Sequence, residues 1–161
     1  MSDTSEFQPP DADGTPAGED MARIARDFME SLPHAKALNL SLLALGPGAA
    51  EFALPYDAAL VGDPDTGVLH GGAVSALLDT ACGAAVIMHP EGTEGTATLD
   101  LRIDYMRAAT PGQRLIARAE CYHVTRNVAF ARAVALDDDS DRPVASATGA
   151  FSFTARPRDG A

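Results

Sequence analysis

Two periodicities organise this chain. In "TATLDLRIDYM", Ala97, Leu99, Leu101, Ile103 and Tyr105 alternate with Thr98, Asp100, Arg102, Asp104 and Met106. Strict period-two alternation predicts a half-buried strand. "RLIARAECYHV", "VAFARAVAL" and "VASATGAFSF" read as three more strands, separated by "TRN" and the acidic turn "DDDSDRP". Upstream, "ALNLSLLALGPGAAEFALPY" predicts two strands joined through "GPGA", a turn signal. "DAALVGDPDTGVLH" and "HPEGTEG" read as loops from their Asp, Pro and Gly content.

Helical spacing dominates two other segments. Asp20 is placed to cap a helix over "MARIARDFMESL", whose Met21, Ile24, Ala25, Phe28, Met29 and Leu32 form an apolar stripe that Pro33 ends. The second helix covers about 17 residues, 71–88. It has no polar face: Ala73, Val74, Ala76, Leu77, Leu78, Ala81, Cys82, Ala84, Ala85, Val86 and Ile87 cover all its sides. A helix apolar all round is expected to be buried all round. The strands must then wrap it, and a mid-helix Gly83 reads as a mark of close packing. The order of elements predicts an α+β fold with an antiparallel sheet around one long central helix.

The first 18 residues are rich in Pro, Gly, Asp and Ser, without apolar periodicity, and are expected to be a disordered acidic tail. One domain is expected over 19–154, followed by a polar tail over 155–161. At 161 residues and 46% hydrophobic content, a single core is feasible without staples. Cys82 and Cys121 lie in apolar runs without partners at metal-ligand spacing, and read as small buried hydrophobes. They suit a reducing cytoplasm, the expected location. No apolar run reaches the length of a membrane span, and the N-terminus has neither the basic region nor the apolar core of a signal peptide. A net charge of −11 argues against a nucleic-acid surface. The scattered His34, His89 and His123 give no metal-site spacing.

The candidate chemistry sits in "GVLHGGAVSALLDTACGAAVIM". Unpaired N–H groups at a helix start, unshielded at Gly71 and Gly72, can receive a developing oxyanion; the plainer reading is a glycine-rich turn into the helix. His70 is either a structural histidine or a base. Asp79 is a lone acid in an apolar run, costly unless paired. It is a candidate general base or nucleophile, or else a structural carboxylate bonded to a neighbour such as Ser75. Nine residues separate His70 from Asp79, about 13.5 Å of rise and about 900° of rotation. One chain therefore cannot bring both to one substrate atom, whereas two helices side by side in a two-fold dimer can. Of the arginines that concentrate in the strand half, Arg126 is a candidate for an anionic ligand.

"GVLHGGAVSALLDTA", "TLDLRIDYMRAATPG" and "RNVAFARAVALDDDSDRPVASATGAFSF" together resemble the hotdog-fold acyl-CoA thioesterases, in their PaaI-like (phenylacetate-pathway) branch. The resemblance covers roughly residues 20–154. It implies a curved antiparallel sheet around a central helix, in homodimers often paired into homotetramers. It implies hydrolysis of acyl-CoA to free acid and CoA, with no metal or other cofactor. Asp79 would be the catalytic carboxylate. Gly71, with Gly72 beside it, would give the N–H for the thioester carbonyl. His70 would position the loop or the carbonyl, and Thr98 would help place water or the carboxylate. Members often carry an Asn shortly before the HGG. Here Asp63, Pro64 and Asp65 fill that segment, and an acid there, such as Asp65, can accept a hydrogen bond from His70 but cannot donate one. The rival expectations are a hotdog protein that binds acyl-CoA without turnover, and a hotdog hydratase, whose His-and-acid arrangement the chain lacks.

Overall fold

A computed structural model describes residues 32–154 except 92 and 94, together with Arg23 and Asp27. Of the helix expected over 21–32, Arg23 and Asp27 lie on helical backbone and Leu32 is extended; its other residues and both expected tails fall outside the described residues. Pro33 does more than stop a helix: it opens a short one, α1 (Pro33–Ala37), with Leu32 as its N-cap. The fixed φ of proline and its missing N–H suit that first helical position.

β1 (Ser41–Gly46) and β2 (Ala49–Leu54) form the expected antiparallel hairpin. Its turn uses Gly48 at φ +67°, the conformation that a Pro-Gly turn of this kind demands. The segment read as a plain loop carries a 3₁₀ turn, Ala58–Leu60, and a small hairpin of β3 (Val61–Asp63) and β4 (Val68–Leu69). Then come α2 (Gly71–Ile87), β5 (Thr98–Tyr105), β6 (Leu115–Val124), β7 (Val128–Leu136) and β8 (Ala145–Ser152). The main sheet has six strands in the order β1-β2-β6-β7-β8-β5, antiparallel throughout. The fold is α+β, a hotdog arrangement of a sheet on a long central helix.

Packing explains how the sheet reaches that helix. α2 turns Val74, Leu77, Leu78, Cys82 and Val86 into the core. The sheet answers chiefly with alanines: Ala117 and Ala119 on β6, Ala129, Ala131, Ala133 and Ala135 on β7, and Ala145 and Ala147 on β8. Small side chains on one layer let large ones on the other interdigitate at close approach. Phe52, Leu54, Leu115 and Phe151 fill the margins. Both cysteines are buried and unpaired, as expected. Burial, reinforced by the charges of Asp79 and Cys121, pushes the Cys82 thiol up to about 12.

The sheet covers one side of α2 only. Gly72, Ser75, Ala76, Asp79, Thr80, Gly83 and Ile87 form a stripe that is not buried within this chain, so the expectation of burial on all sides fails. Among the described residues nothing lies within 4 Å of the position a Cβ at Gly83 would take, which removes close packing against the sheet as the reason for that glycine. β5 departs from the sequence reading too. It lies at the sheet edge, beyond β8, with Leu99 60% and Tyr105 51% exposed. Its register against β8 shifts between Thr98 and Asp100, a β-bulge.

Candidate active site

The site is built where β5 crosses α2. Strict alternation puts Thr98 and Tyr105 on opposite faces of β5. The bulge absorbs one residue and turns Thr98 back to the helix side, the re-aiming that bulges perform beside functional sites. Thr98 Oγ1 then donates to Asp79 Oδ1 at 2.7 Å. At the other end of the strand, Tyr105 Oη donates to the Gly71 carbonyl at 2.7 Å. One strand therefore holds α2 at its first residue and at its carboxylate. Gly149 on β8 makes room for the bulge, since a Cβ there would lie 2.6 Å from the Asp100 carbonyl oxygen.

Asp79 is half-buried on the open stripe of α2. Its partner is Thr98 and not Ser75, whose hydroxyl is engaged with Gly71 O at 3.1 Å and Tyr105 Oη at 2.7 Å. One carboxylate oxygen is held by a hydroxyl, and the second accepts no hydrogen bond from the described residues. A fixed, ionisable oxygen at an open surface is what a base or nucleophile requires.

His70 is the N-cap of α2, and its Nδ1 accepts the Gly72 N–H at 2.9 Å. This bond leaves the hydrogen of the neutral ring on Nε2. His70 thereby ties its ring to the backbone of the turn that opens the helix. It also takes the Gly72 N–H, so that group is not the open donor. The Gly71 N–H is the one without an acceptor among the described residues. The two glycines have distinct steric causes. A Cβ at Gly71 would meet the Tyr105 hydroxyl oxygen at 3.2 Å and its ring at 3.3–3.5 Å, and one at Gly72 would meet His70 Nδ1 at 2.9 Å. Gly62 on β3 likewise lies against His70, whose backbone N–H donates to Leu60 O at 2.8 Å.

The acidic segment before the glycines does not reach His70. Asp63 folds its carboxylate onto Thr66 Oγ1 at 2.6 Å and the Asp65 N–H at 3.1 Å. The Thr66 hydroxyl bond, first, holds its carboxyl below the ordinary range. Asp65 itself stands exposed in the β3–β4 turn. Arg126 is exposed in the β6–β7 turn. That turn lies at the Thr98 end of the sheet: Asn127 O accepts from Phe153 N, and Ala97 O from Ser152 N. Between α1, the 3₁₀ turn and the start of α2 lies a cavity of about 340 Å³. Its walls include Leu38, Leu60, Val61 and Ala76, with His34 and His70.

The angular argument from His70 to Asp79 needs one correction. Gly72 and Asp79 are seven residues apart, about 20° short of two full turns, so they share the open stripe. The glycine end and the acid face the same way. What separates Gly71 from Asp79 is the rise of about 12 Å along the axis, too far for one carbonyl group to touch both.

The thioesterase superfamily profile matches residues 66–144, from the β3–β4 turn to just before β8. A Pseudomonas aeruginosa protein of known crystal structure is 42% identical, with TM-score 0.73, over 82% of this chain and 98% of that one. The phenylacetic acid degradation protein PaaI of Thermus thermophilus, in a variant form, is 31% identical, with TM-score 0.67, over 76% of this chain and 99% of that one. The chain belongs to the thioesterase superfamily. A medium/long-chain acyl-CoA thioesterase, YigI of Salmonella typhimurium, is 28% identical over 141 residues, 80% of this chain and 90% of that protein. The matched region of this thioesterase holds the helix start, Asp79, Thr98 and Tyr105. Tyr105 is the site residue that alternation hid. Its ring reads as one more apolar position, and only the tertiary fold shows where its hydroxyl goes.

Proposed function

We propose that this thioesterase hydrolyses acyl-CoA to free acid and CoA at a site shared by two copies of the chain. The observation that carries this reading is the pairing of Thr98 with Asp79 on an open helix stripe. A carboxylate held there by a single hydroxyl has one oxygen free for a substrate. The open N–H of Gly71 lies about 12 Å away along the same helix. In a two-fold dimer with antiparallel helices, Gly71 of one copy faces Asp79 and Thr98 of the other. The thioester carbonyl oxygen rests on the Gly71 N–H at the positive end of α2. As base, Asp79 takes a proton from water and drives the water oxygen onto the carbonyl carbon; the C–S bond breaks, and the CoA thiolate takes the proton that water gave up. As nucleophile, its own oxygen attacks that carbon, the thiolate leaves, and water then hydrolyses the acyl anhydride. His70 and Gly72 hold the loop that carries Gly71, while the exposed Arg126, at the Thr98 end of the sheet, and the exposed Asp65 are the further candidates for substrate contact.

The acyl chain fits the cavity beside the helix start. Its volume of about 340 Å³ is more than twice the roughly 150 Å³ that accommodates benzene. With its leucine, valine and alanine walls, it suits a medium-length acyl group, in keeping with the name of the YigI relative.

The test is a panel of acyl-CoAs assayed for released thiol. Asp79→Asn is expected to lose most of kcat and to remain a dimer; unchanged turnover of every thioester by this variant sinks the assignment. Mixing Asp79→Asn with Gly71→Val then tests the shared site. Each variant alone is inactive, and random reassociation restores about a quarter of the intact sites. No recovery on mixing refutes the two-copy arrangement.

A further inference from the structure

At a helix N-terminus the backbone groups short of partners are N–H donors, while the first carbonyls are satisfied by the N–H groups of the next turn. Yet two side-chain hydroxyls converge on the Gly71 carbonyl, Tyr105 Oη at 2.7 Å and Ser75 Oγ at 3.1 Å. They lie 2.7 Å from each other. Hydrogen-bond satisfaction does not account for this cluster, since it serves a carbonyl that the helix already serves. Its effect is geometric. Gly71 and Gly72 lack Cβ atoms, and their backbone is the freest in the helix. The peptide between them is held on both sides, its N–H by His70 Nδ1 and its C=O by Tyr105. The Tyr105 ring fills the space where a side chain at residue 71 would be.

Resting on the proposed function, we propose that Tyr105 is the positioning residue for the oxyanion donor of this enzyme, with Ser75 as its support. By clamping the Gly71 carbonyl it fixes the backbone angles of Gly71, and so the direction of the Gly71 N–H. Three oxygens in mutual contact share two hydroxyl protons. The two 2.7 Å separations favour Ser75 donating to Tyr105 and Tyr105 donating to Gly71, an ordering in which each bond polarises the next. Tyr105 is then the terminal donor, and its removal matters more than that of Ser75. Through Thr98 and Tyr105, β5 governs both halves of the chemistry: the carboxylate of one site and the oxyanion donor of the other.

Loss of an oxyanion donor outright costs about 10²–10³ in kcat, so loss of its alignment is expected to cost about tenfold. Tyr105→Phe should lower kcat by that amount with KM and melting temperature unchanged. Ser75→Ala should lower it by less. The double variant should be no worse than Tyr105→Phe, because both act through one carbonyl. A spectroscopic measurement separates alignment from mere support of the fold. In an Asp79→Asn background, an acyl-CoA labelled with ¹³C at the carbonyl stays bound intact, and its carbonyl stretch falls below the solution value when a donor is aligned with it. Adding Tyr105→Phe should move the stretch back toward the solution value. An unchanged stretch overturns the proposal, whether kcat is retained or falls only together with the melting temperature. If Asp79→Asn is inactive and Tyr105→Phe fully active, this inference fails and the thioesterase assignment stands. If Asp79→Asn is fully active, both fall.

Discussion

Gly149→Ala tests the link between the bulge and the site. The added methyl would lie 2.6 Å from Asp100 O, 2.9 Å from Leu101 Cδ1 and 3.2 Å from Phe151 Cε2. Carbon–oxygen contacts settle at about 3.3 Å or more, so β5 must retreat by about 0.7 Å. The nearest obstacle is backbone in a bulge, which cannot swing aside as a side-chain tip can. Overpacking of this kind costs about 1–3 kcal/mol. Removing a glycine from a strand returns about 0.5–1 kcal/mol through the unfolded chain. The net loss is about 1–2 kcal/mol, or about 2–8 °C in melting temperature for a chain of this size. The retreat also draws Thr98 from Asp79. A 2.7 Å bond lengthened by that amount lies at about 3.4 Å, beyond good hydrogen-bond range. The expected result is a modest drop in melting temperature with a disproportionate drop in kcat, read by scanning calorimetry and by CoA release. Wild-type values for both would refute the steric argument and the role given to the bulge.

Thr98→Val removes only the hydroxyl. A hydrogen bond to a charged group is worth about 1.5–3 kcal/mol, so kcat should fall about tenfold or more, with little change in melting temperature because Thr98 is exposed. Asp137 is buried and accepts two bonds from Arg107, at 2.7 and 2.6 Å, two from Thr110, and the N–H of Asp139. Asp137→Ala should cost about 3 kcal/mol, since it leaves the Arg107 charge uncompensated. The Arg107 guanidinium, ahead of the other donors and against desolvation, holds the Asp137 carboxyl well below the usual range. Its stabilisation is therefore complete above the ordinary aspartate value near about 3.9 and is lost as pH falls toward the depressed folded value. Denaturant titrations of wild type and variant should differ by a constant amount above about pH 5 and converge in strong acid. Burial raises both thiols, Cys82 to about 12, so an alkylating reagent at pH 8 should leave both unmodified until the protein is denatured. Rapid labelling of the folded protein would contradict their burial.

The six strands of the main sheet and α2 were legible because they depend on local periodicity, whereas α1, the 3₁₀ turn and the β3–β4 hairpin were not. Thr98–Tyr105 and the 17 residues of α2 follow from alternation and from a predominantly apolar run. Asp79 was legible as an anomaly within that run, and the glycines as a helix start. Periodicity misled where a side chain's surroundings depend on distant chain. Alternation put Thr98 on the face opposite Tyr105, and a single bulged residue turns its hydroxyl to the helix while the residue stays exposed. It counted Tyr105 as core, whereas an edge strand leaves the ring half-exposed with its hydroxyl on the helix. An all-apolar helix implied a complete wrap, but six strands cover only one of its sides.

The amino-acid sequence by itself determined the six strands of the main sheet, the long helix, its carboxylate and the turn that opens it, because each is written in residues close together along the chain. The tertiary structure decided which hydroxyl holds the carboxylate, which N–H stays open, and why Gly72 and Gly149 lack side chains. Those answers depend on contacts across 19 residues from Asp79 to Thr98 and 34 from Gly71 to Tyr105. Local pattern does not encode such pairings; the strand order, the edge position of β5 and one extra residue in its ladder do.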